Sequence, residues 1–303
     1  MTLHLQGLTP DNGSAPIVTR FAPSPTGLLH MGHAYAAWVA RELAQQNAKG
    51  RFLLRIEDID ANRVKAPYYD AIENDLRWLG LPWDDNALRQ STRSEAYQSA
   101  LAELKSVGVI YPCFCTRSEI IAETARMSNA PHGPEGPTYP GTCRKLDRTQ
   151  QQEKISSGIA HSWRLDSQLA SELCGPLDFT DLSFGKIRVD PSLLGDVILA
   201  RKDIGPAYHL AVVVDDAFQG ITHVTRGDDL LQSTHVHRLL QSLLRLPKPI
   251  YLHHPLVADE HGKRLAKRAD SQSIALLRTA GKSPQEIFSM IEDALGKRSW
   301  HIS

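Results

Sequence analysis

The sequence has no surplus of charge of either sign. Its 34 Lys and Arg stand against 34 Asp and Glu, a formal net charge of +0. That excludes a globally basic nucleic-acid binder, so any contact with a polyanion must come from local patches. No apolar run approaches the roughly 18 residues that a membrane-spanning helix requires, and no membrane span is expected. Residues 1–17 hold neither Lys nor Arg and no sustained apolar stretch, so no secretory signal is expected either. Cysteine is scarce, four in 303 residues, too few for a disulfide framework. Three of the four, Cys113, Cys115 and Cys143, fall in one short stretch, which favours a metal site in a reducing cytoplasm. What remains, 42% apolar and 22% charged, is ordinary for a globular protein. The length suggests about two domains, or one large domain with an insertion.

The pattern along the chain predicts a strand over 17–22, stopped by Pro23 and Pro25 and turned by Gly27. Helical spacing then runs from about Leu29 to Gly50. A second strand is predicted over 51–56, a helix over 69–79, and another over 94–107 with Ser94 as its N-cap and Tyr97, Leu101 and Leu104 on one face. Residues 113–195 are richer in Gly, Pro and Ser and contain all four cysteines, three of them close together, which predicts an insertion with its own small fold. Strands are predicted over 196–200, 221–225 and 250–253, a helix over 228–244, and a short helical tail over 273–296. Strand, helix, strand on both sides of the insertion imply an α/β fold, one Rossmann-like parallel-sheet domain split in two. The divisions expected are 16–112 and 196–268 for its halves, 113–195 for the insertion and 269–303 for the tail.

Chemistry concentrates in three places. From Arg20 the chain reads Arg-Phe-Ala-Pro-Ser-Pro-Thr-Gly-Leu-Leu-His-Met-Gly-His, ending at His33. A strand, a Pro/Gly turn and a helix start near His30 leave free backbone N–H groups and a favourable dipole for an anion. Gly32 lets a ligand approach the backbone, and His30 and His33, three apart, share one helical face. Alone, the pair reads equally well as surface histidines on a capped helix. The second place is His261-Gly-Lys-Arg-Leu-Ala-Lys-Arg268, four cations within six residues, either a solvated loop or one whose lysine neutralises a reacting phosphate. The third is Cys113-Phe-Cys115 followed by Tyr139-Pro-Gly-Thr-Cys143. Zinc takes about four ligands in tetrahedral geometry, commonly thiolates. Three are present, and the fourth is Tyr139, His132, Cys174 or water.

The first two segments together resemble the signature pair of class I aminoacyl-tRNA synthetases. RFAPSPTGLLHMGHA, RIEDID, YHLAVVVDD and TRGDDLL are similar, in the same order, to the glutamyl-tRNA synthetase family, and the likeness covers Arg20 to about Arg268. The resemblance implies a class I catalytic domain. It places Arg20, Phe21, Ala22, Pro23 and Ser24 at the amino-acid substrate, Glu57 at its α-amino group, and Tyr208 and Arg226 at the remaining substrate positions. His30, Gly32, His33 and Lys267 fall at ATP, with His30, His33 and Lys267 catalytic. Two arginines and one Glu match the two carboxylates and one ammonium of glutamate. The basic loop departs from the family pattern: Arg264 replaces its first lysine and Ala266 its serine.

Cys-x-Cys with Tyr-x3-Cys resembles the zinc site of one subgroup, the glutamyl-Q tRNA(Asp) synthetases, and favours Tyr139 as fourth ligand. Residues 269–303 are too few for the helical anticodon-binding region of a full glutamyl-tRNA synthetase, so none is expected. The subgroup implies activation of L-glutamate by ATP without tRNA, followed by transfer to queuosine in the anticodon of tRNA(Asp). It further implies one structural Zn2+ per chain, Mg2+ with ATP, and a cytoplasmic location. Arg144, Lys145, Arg148, Lys297 and Arg298 are candidates for gripping the anticodon arm. The rivals are a discriminating glutamyl-tRNA synthetase that charges the tRNA 3′ end, a small-molecule nucleotidyltransferase, and a zinc-dependent RNA-binding protein with a decayed active site.

Overall fold

The computed structural model describes residues 15–126, 132–133, 136–203, 205–257 and 273–296. The chain opens with β1 (Val18–Phe21), α1 (Met31–Gln45), β2 (Arg51–Ile56), α2 (Pro67–Trp78), β3 (Asp84–Arg89) and α3 (Ser94–Val107). Then come β4 (Ile110–Cys113), α4 (Arg117–Arg126), the short pair β5 (His132–Gly133) and β6 (Gly136–Pro137), α5 (Arg148–Ser156), β7 (Ser162–Leu165), α6 (Ser167–Cys174), β8 (Asp178–Asp181) and β9 (Gly185–Arg188). The rest is β10 (Ile198–Arg201), β11 (Gly205–Pro206), α7 (Tyr208–Phe218), β12 (His223–Gly227), α8 (Ser233–Leu243), β13 (Ile250–His254), α9 (Ile274–Thr279) and α10 (Pro284–Leu295).

β1, β2 and β3 form a parallel sheet, with β2 in the middle. A central parallel strand is covered on both faces, which is why Phe52 to Ile56 are all buried and why the strand reads as an apolar run. β12, β13 and β8 form a second parallel set, with β9 antiparallel at its edge. The two sets meet where β1 lies beside β12. There Thr222 N–H donates to Val18 O at 3.0 Å, and Val18 N–H to Thr222 Oγ1 at 2.8 Å. Further along, the Arg20 guanidinium spans the seam to Thr225 O at 3.0 Å. One backbone bond and two side-chain bonds, rather than a continuous ladder, thus join the halves, at the kind of crevice where open α/β sheets bind ligands.

A third, antiparallel sheet, β11-β10-β7-β4, carries the inserted part. The strand expected over 196–200 lies at Ile198–Arg201, and it pairs antiparallel with β7 rather than joining the parallel sheet. Conversely β8, inside the stretch expected to fold separately, pairs parallel with β13 at Tyr251 and Asp181. Strand pairing is set by tertiary hydrogen bonds that sequence adjacency does not encode. The predicted helix over 228–244 starts with a 3-10 turn at Asp228–Leu230 and becomes α-helical at Ser233. Ser94 is the first residue of α3 and not its N-cap. Arg93 holds that position, and the Ser94 hydroxyl accepts from Gln98. α7 had no counterpart in the apolar pattern: its Leu-Ala-Val-Val-Val run looks like a strand because the helix is buried nearly all round.

One core gathers α1, β2, α2 and the tail, where Ile287 and Ile291 of α10 are wholly buried. A second gathers α3, α6, α7 and α8. No helix among the described residues is long and apolar enough to cross a membrane.

Candidate active site and metal-ligating cluster

α1 begins at the sheet seam. His30 is its N-cap, and its Nδ1 accepts the Gly32 N–H at 3.1 Å. His33 Nδ1 accepts the His30 N–H at 3.2 Å, so two histidines close a reciprocal capping box. Each ring accepts through Nδ1 and therefore carries its proton on Nε2. Burial holds His33 down to about 3 and lowers His30 as well, so both rings are neutral at physiological pH. The rings lie 3.8 Å apart between centroids, tilted by 35°. The pair thus offers two neutral Nε2–H donors at a helix N-terminus, which suits phosphate oxygens. Gly32 has a second reason beyond ligand approach: a Cβ there would meet His30 Cε1 at 3.0 Å and push the cap away.

The substrate-side residues converge. Arg20 Nε donates to Asp216 Oδ1 at 2.8 Å, and Arg55 Nη1 donates to the same oxygen at 2.6 Å. Arg55, fully buried in β2, also reaches Glu57 Oε1 at 3.4 Å. Burial alone would raise the Asp216 carboxyl, but Arg20 and Arg55 together hold it below the usual range. Glu57 is pushed the other way, raised by burial against the pull of Arg55 and Arg20. Arg226 Nη1 donates to the Tyr208 hydroxyl at 3.3 Å. Tyr208, raised by burial, feels the charges of Arg226, Glu57 and Arg20. Arg20, Glu57, Tyr208 and Arg226 therefore share one electrostatic neighbourhood. The 21–24 turn is tied to it: Glu57 N–H donates to Pro23 O at 2.9 Å, and Phe21 packs edge-on to His33. Pro23 is buried, Ala22 half-buried and Ser24 exposed.

Lys267, with Arg264 and Ala266, lies outside the described residues. The chain on either side of that gap is anchored. Val257 packs in the first core, and Ser273 bridges to His30 while Ile274 N–H donates to Leu29 O at 2.8 Å.

The Sγ atoms of Cys113, Cys115 and Cys143 all lie within 4.8 Å of one another. The Tyr139 hydroxyl lies 3.4 Å from Cys113 Sγ and 3.5 Å from Cys115 Sγ. Gly141, at φ +77°, makes the left-handed turn that brings Cys143 back onto β4. Three soft thiols and one phenol oxygen in so small a space could hold a metal ion. Cys174 is elsewhere, against the second core with Sγ 3.9 Å from Leu239 O. His132 lies in β5. Arg164 stacks over the Tyr139 ring at 3.9 Å. A cleft of about 450 Å³ touches both regions, its lining including Tyr208 and His209 as well as Tyr139 and Arg164. Arg144, a candidate for the anticodon arm, is engaged with Asp196 at 3.1 Å, a carboxylate that also takes Tyr111 at 2.6 Å.

Residues 16–299 match the family model of the catalytic domain of class I tRNA synthetases (E and Q). A glutamyl-Q tRNA(Asp) synthetase of Rhodobacter capsulatus is 46% identical over 281 residues, covering 91% of this chain and 99% of that one. The chain belongs to this family. A glutamate–tRNA ligase of Nitrosococcus oceani is 37% identical, over 89% of this chain but 57% of its own. Among solved structures, a glutamate-tRNA synthetase from Elizabethkingia anophelis superposes with a TM-score of 0.77 at 26% identity. That match covers 91% of this chain, and this chain spans 61% of that structure's length. These synthetases share the parallel-sheet catalytic fold described above.

Sequence reasoning missed the residues that hold the site together. Arg55 was visible as the one cation interrupting the apolar RFLLRI strand. Asp215 and Asp216 close the Val-Val-Val-Asp-Asp run, and the structure sends them different ways. Asp216 goes to Arg20 and Arg55, Asp215 to Tyr97 at 2.5 Å and Gln90 at 2.9 Å. His209, Thr234, His237, His253 and Asp181 carried no local signal, because they come together only in the tertiary fold.

Proposed function

We propose that the chain activates L-glutamate with ATP in the absence of tRNA and then transfers the glutamyl group to queuosine in the anticodon of tRNA(Asp). The observation that carries this reading is the meeting, at the open seam between β1 and β12, of a buried guanidinium, a carboxylate and a histidine pair. Each suits one part of the reaction.

Arg226 and Tyr208 receive the substrate's side-chain carboxylate. A guanidinium has five N–H donors. Four point at protein acceptors: His253, Tyr208, His237 and Thr234. Among the described residues no acceptor takes the fifth, on Nη2, or the Tyr208 hydroxyl hydrogen, and both are left for ligand. Two donors side by side suit a carboxylate, whereas a carboxamide would turn its NH2 toward one of them, which disfavours glutamine. Glu57 takes the α-ammonium. ATP enters with Mg2+, its phosphates against the α1 N-terminus, where His30 and His33 donate and the backbone of Gly32 is near. Lys267 supplies a further cation to the phosphates. A glutamate α-carboxylate oxygen bonds to the α-phosphorus, the bond to the pyrophosphate oxygen breaks, and glutamyl-adenylate forms. No protein nucleophile is needed, since the work is positioning and charge stabilisation. A queuosine hydroxyl then attacks the adenylate carbonyl, AMP leaves with the bonding electrons, and the hydroxyl proton passes to solvent.

The metal reading is one Zn2+ per chain on Cys113, Cys115, Cys143 and Tyr139. Zinc there would be structural, clamping the turn after β4 to the 139–145 turn beside the cleft. Metal analysis should find about one zinc per chain. A tag-free preparation without zinc overturns this assignment.

The function is tested by ATP–pyrophosphate exchange without tRNA, then by transfer of labelled glutamate. Exchange that depends on glutamate, and label on queuosine-containing tRNA(Asp), are expected. The likeness to the Nitrosococcus oceani ligase favours a second reading, charging of the tRNA 3′ end. Strong labelling of tRNA lacking queuosine would select it.

A further inference from the structure

Arg226 is bound differently from the other buried arginines of the site. Arg20 and Arg55 are ion-paired to Asp216 at 2.8 and 2.6 Å. Arg226 is only 6% exposed, yet its described contacts are neutral. Nε donates to His253 Nε2 at 3.1 Å, Nη1 lies 3.1 Å from His237 Nδ1 and 3.3 Å from the Tyr208 hydroxyl, and Nη2 donates to Thr234 Oγ1 at 2.5 Å.

A guanidinium donates only and stays protonated in proteins. Every ring nitrogen that faces it must therefore present a lone pair. His253 Nε2 is unprotonated, so that ring carries its proton on Nδ1, 2.5 Å from Asp181 Oδ2. His237 Nδ1 is unprotonated, so its proton sits on Nε2, 3.2 Å from His209 Nδ1. His209 then accepts through Nδ1 and bears its proton on Nε2. One cation thus dictates the tautomer of three imidazoles in series, and none of the three can be an imidazolium while these contacts stand. The members come from separate elements, Asp181 from β8, His209 from α7, Thr234 and His237 from α8, and His253 from β13, so the relay is a product of tertiary packing.

We propose that His237 and His253 are positioning residues that hold Arg226 with neutral acceptors, so that its charge stays available to the substrate's side-chain carboxylate. The proposal rests on the carboxylate-binding role given to Arg226 above. A carboxylate in direct contact would fix the fork equally well, but it would compete with the substrate for the same cation. Neutral acceptors fix the fork without that competition, and Asp181 stands one imidazole away. Burial keeps the relay neutral: it lowers His209 to about 4, His237 well below its ordinary value, and His253 in spite of Asp181.

Two measurements test this. In glutamate-dependent exchange, His237→Leu should raise the KM for glutamate by about tenfold or more while the KM for ATP stays within about twofold. His237→Asn, whose amide oxygen can stand where Nδ1 stood, should recover most of the loss. An equal rise in both KM values, or an Asn variant no better than Leu, overturns the proposal. The second measurement uses the wild-type protein and needs no activity. Long-range proton–nitrogen NMR at neutral pH should show His209 and His237 protonated on Nε2 and His253 on Nδ1, with signals assigned from single-histidine variants. A cationic His253, or His237 protonated on Nδ1, overturns the proposal. Wild-type exchange with another amino acid but not with glutamate would refute the functional reading, and the NMR result would still judge the relay.

Discussion

At the residue scale, charge at the site is arranged by who pairs with whom. Arg20 and Arg55 share Asp216, and Arg55 reaches on to Glu57 at the end of the same strand. Glu57→Gln keeps the shape but removes the anion that meets an ammonium. It should raise the KM for glutamate in exchange by about tenfold or more, roughly 1.4 kcal/mol of binding. An unchanged KM would remove Glu57 from the ammonium site. Lys267→Ala should slow adenylate formation by about tenfold or more, ~1.4 kcal/mol of barrier, measured by single-turnover kinetics. Unchanged rates would take Lys267 out of the mechanism. The residues that touch ligand in this reading were legible in the sequence, since Arg20, His30, His33, Glu57, Tyr208 and Arg226 sit in short contiguous motifs. The residues that hold them were not. Asp216 is 196 positions from Arg20, and Asp181 is 72 from His253, so no local window contains both partners.

At the element scale, α1 and the tail depend on each other. α10 buries Ile287 and Ile291 in the core that contains α1, and Ser273 bridges to His30 just before α9. The tail therefore supports the helix whose N-terminus carries the histidine pair. Ile287→Ala should destabilise the fold by ~2–5 kcal/mol, as large-to-small core changes do. A urea midpoint close to wild type would show that α10 is only loosely attached. Helix existence was mostly readable from periodicity, as with α3, which runs over the predicted 94–107. α7 was not, because burial on nearly every side erases the amphipathic stripe that marks a surface helix.

For the whole molecule, the burial of neutral histidines sets the response to acid. His33 is lowered to about 3, and His209, His223 and His254 each to about 4, all by burial. Their unfolded value is about 6.5, so below that pH the unfolded chain binds protons that the native state refuses. The stability these groups contribute is complete above about 6.5 and is lost as pH falls toward 4. Asp75, raised to about 6, and Glu42 and Glu57, also raised by burial, act in the opposite sense, but they stand against eight histidines, since His30, His235, His237 and His253 are lowered too. The melting temperature should therefore be lower at pH ~5 than at pH ~7. An equal or higher value at the lower pH would mean that these histidines are not buried neutral.

The sequence by itself determined the family, the α/β class and the three chemical motifs. Each of these is written in contiguous residues whose spacing carries its own physics: a strand that ends in a Pro/Gly turn, two histidines one helical turn apart, a Cys-x-Cys pair. The tertiary structure alone decided which strand joins which sheet and which carboxylate neutralises which arginine. It brought Tyr139, which the subgroup resemblance favours, within 3.5 Å of two of the thiols. It also surrounded Arg226 with neutral imidazoles. Those outcomes depend on hydrogen bonds and desolvation between residues far apart in the chain, and both exist only once the elements have packed.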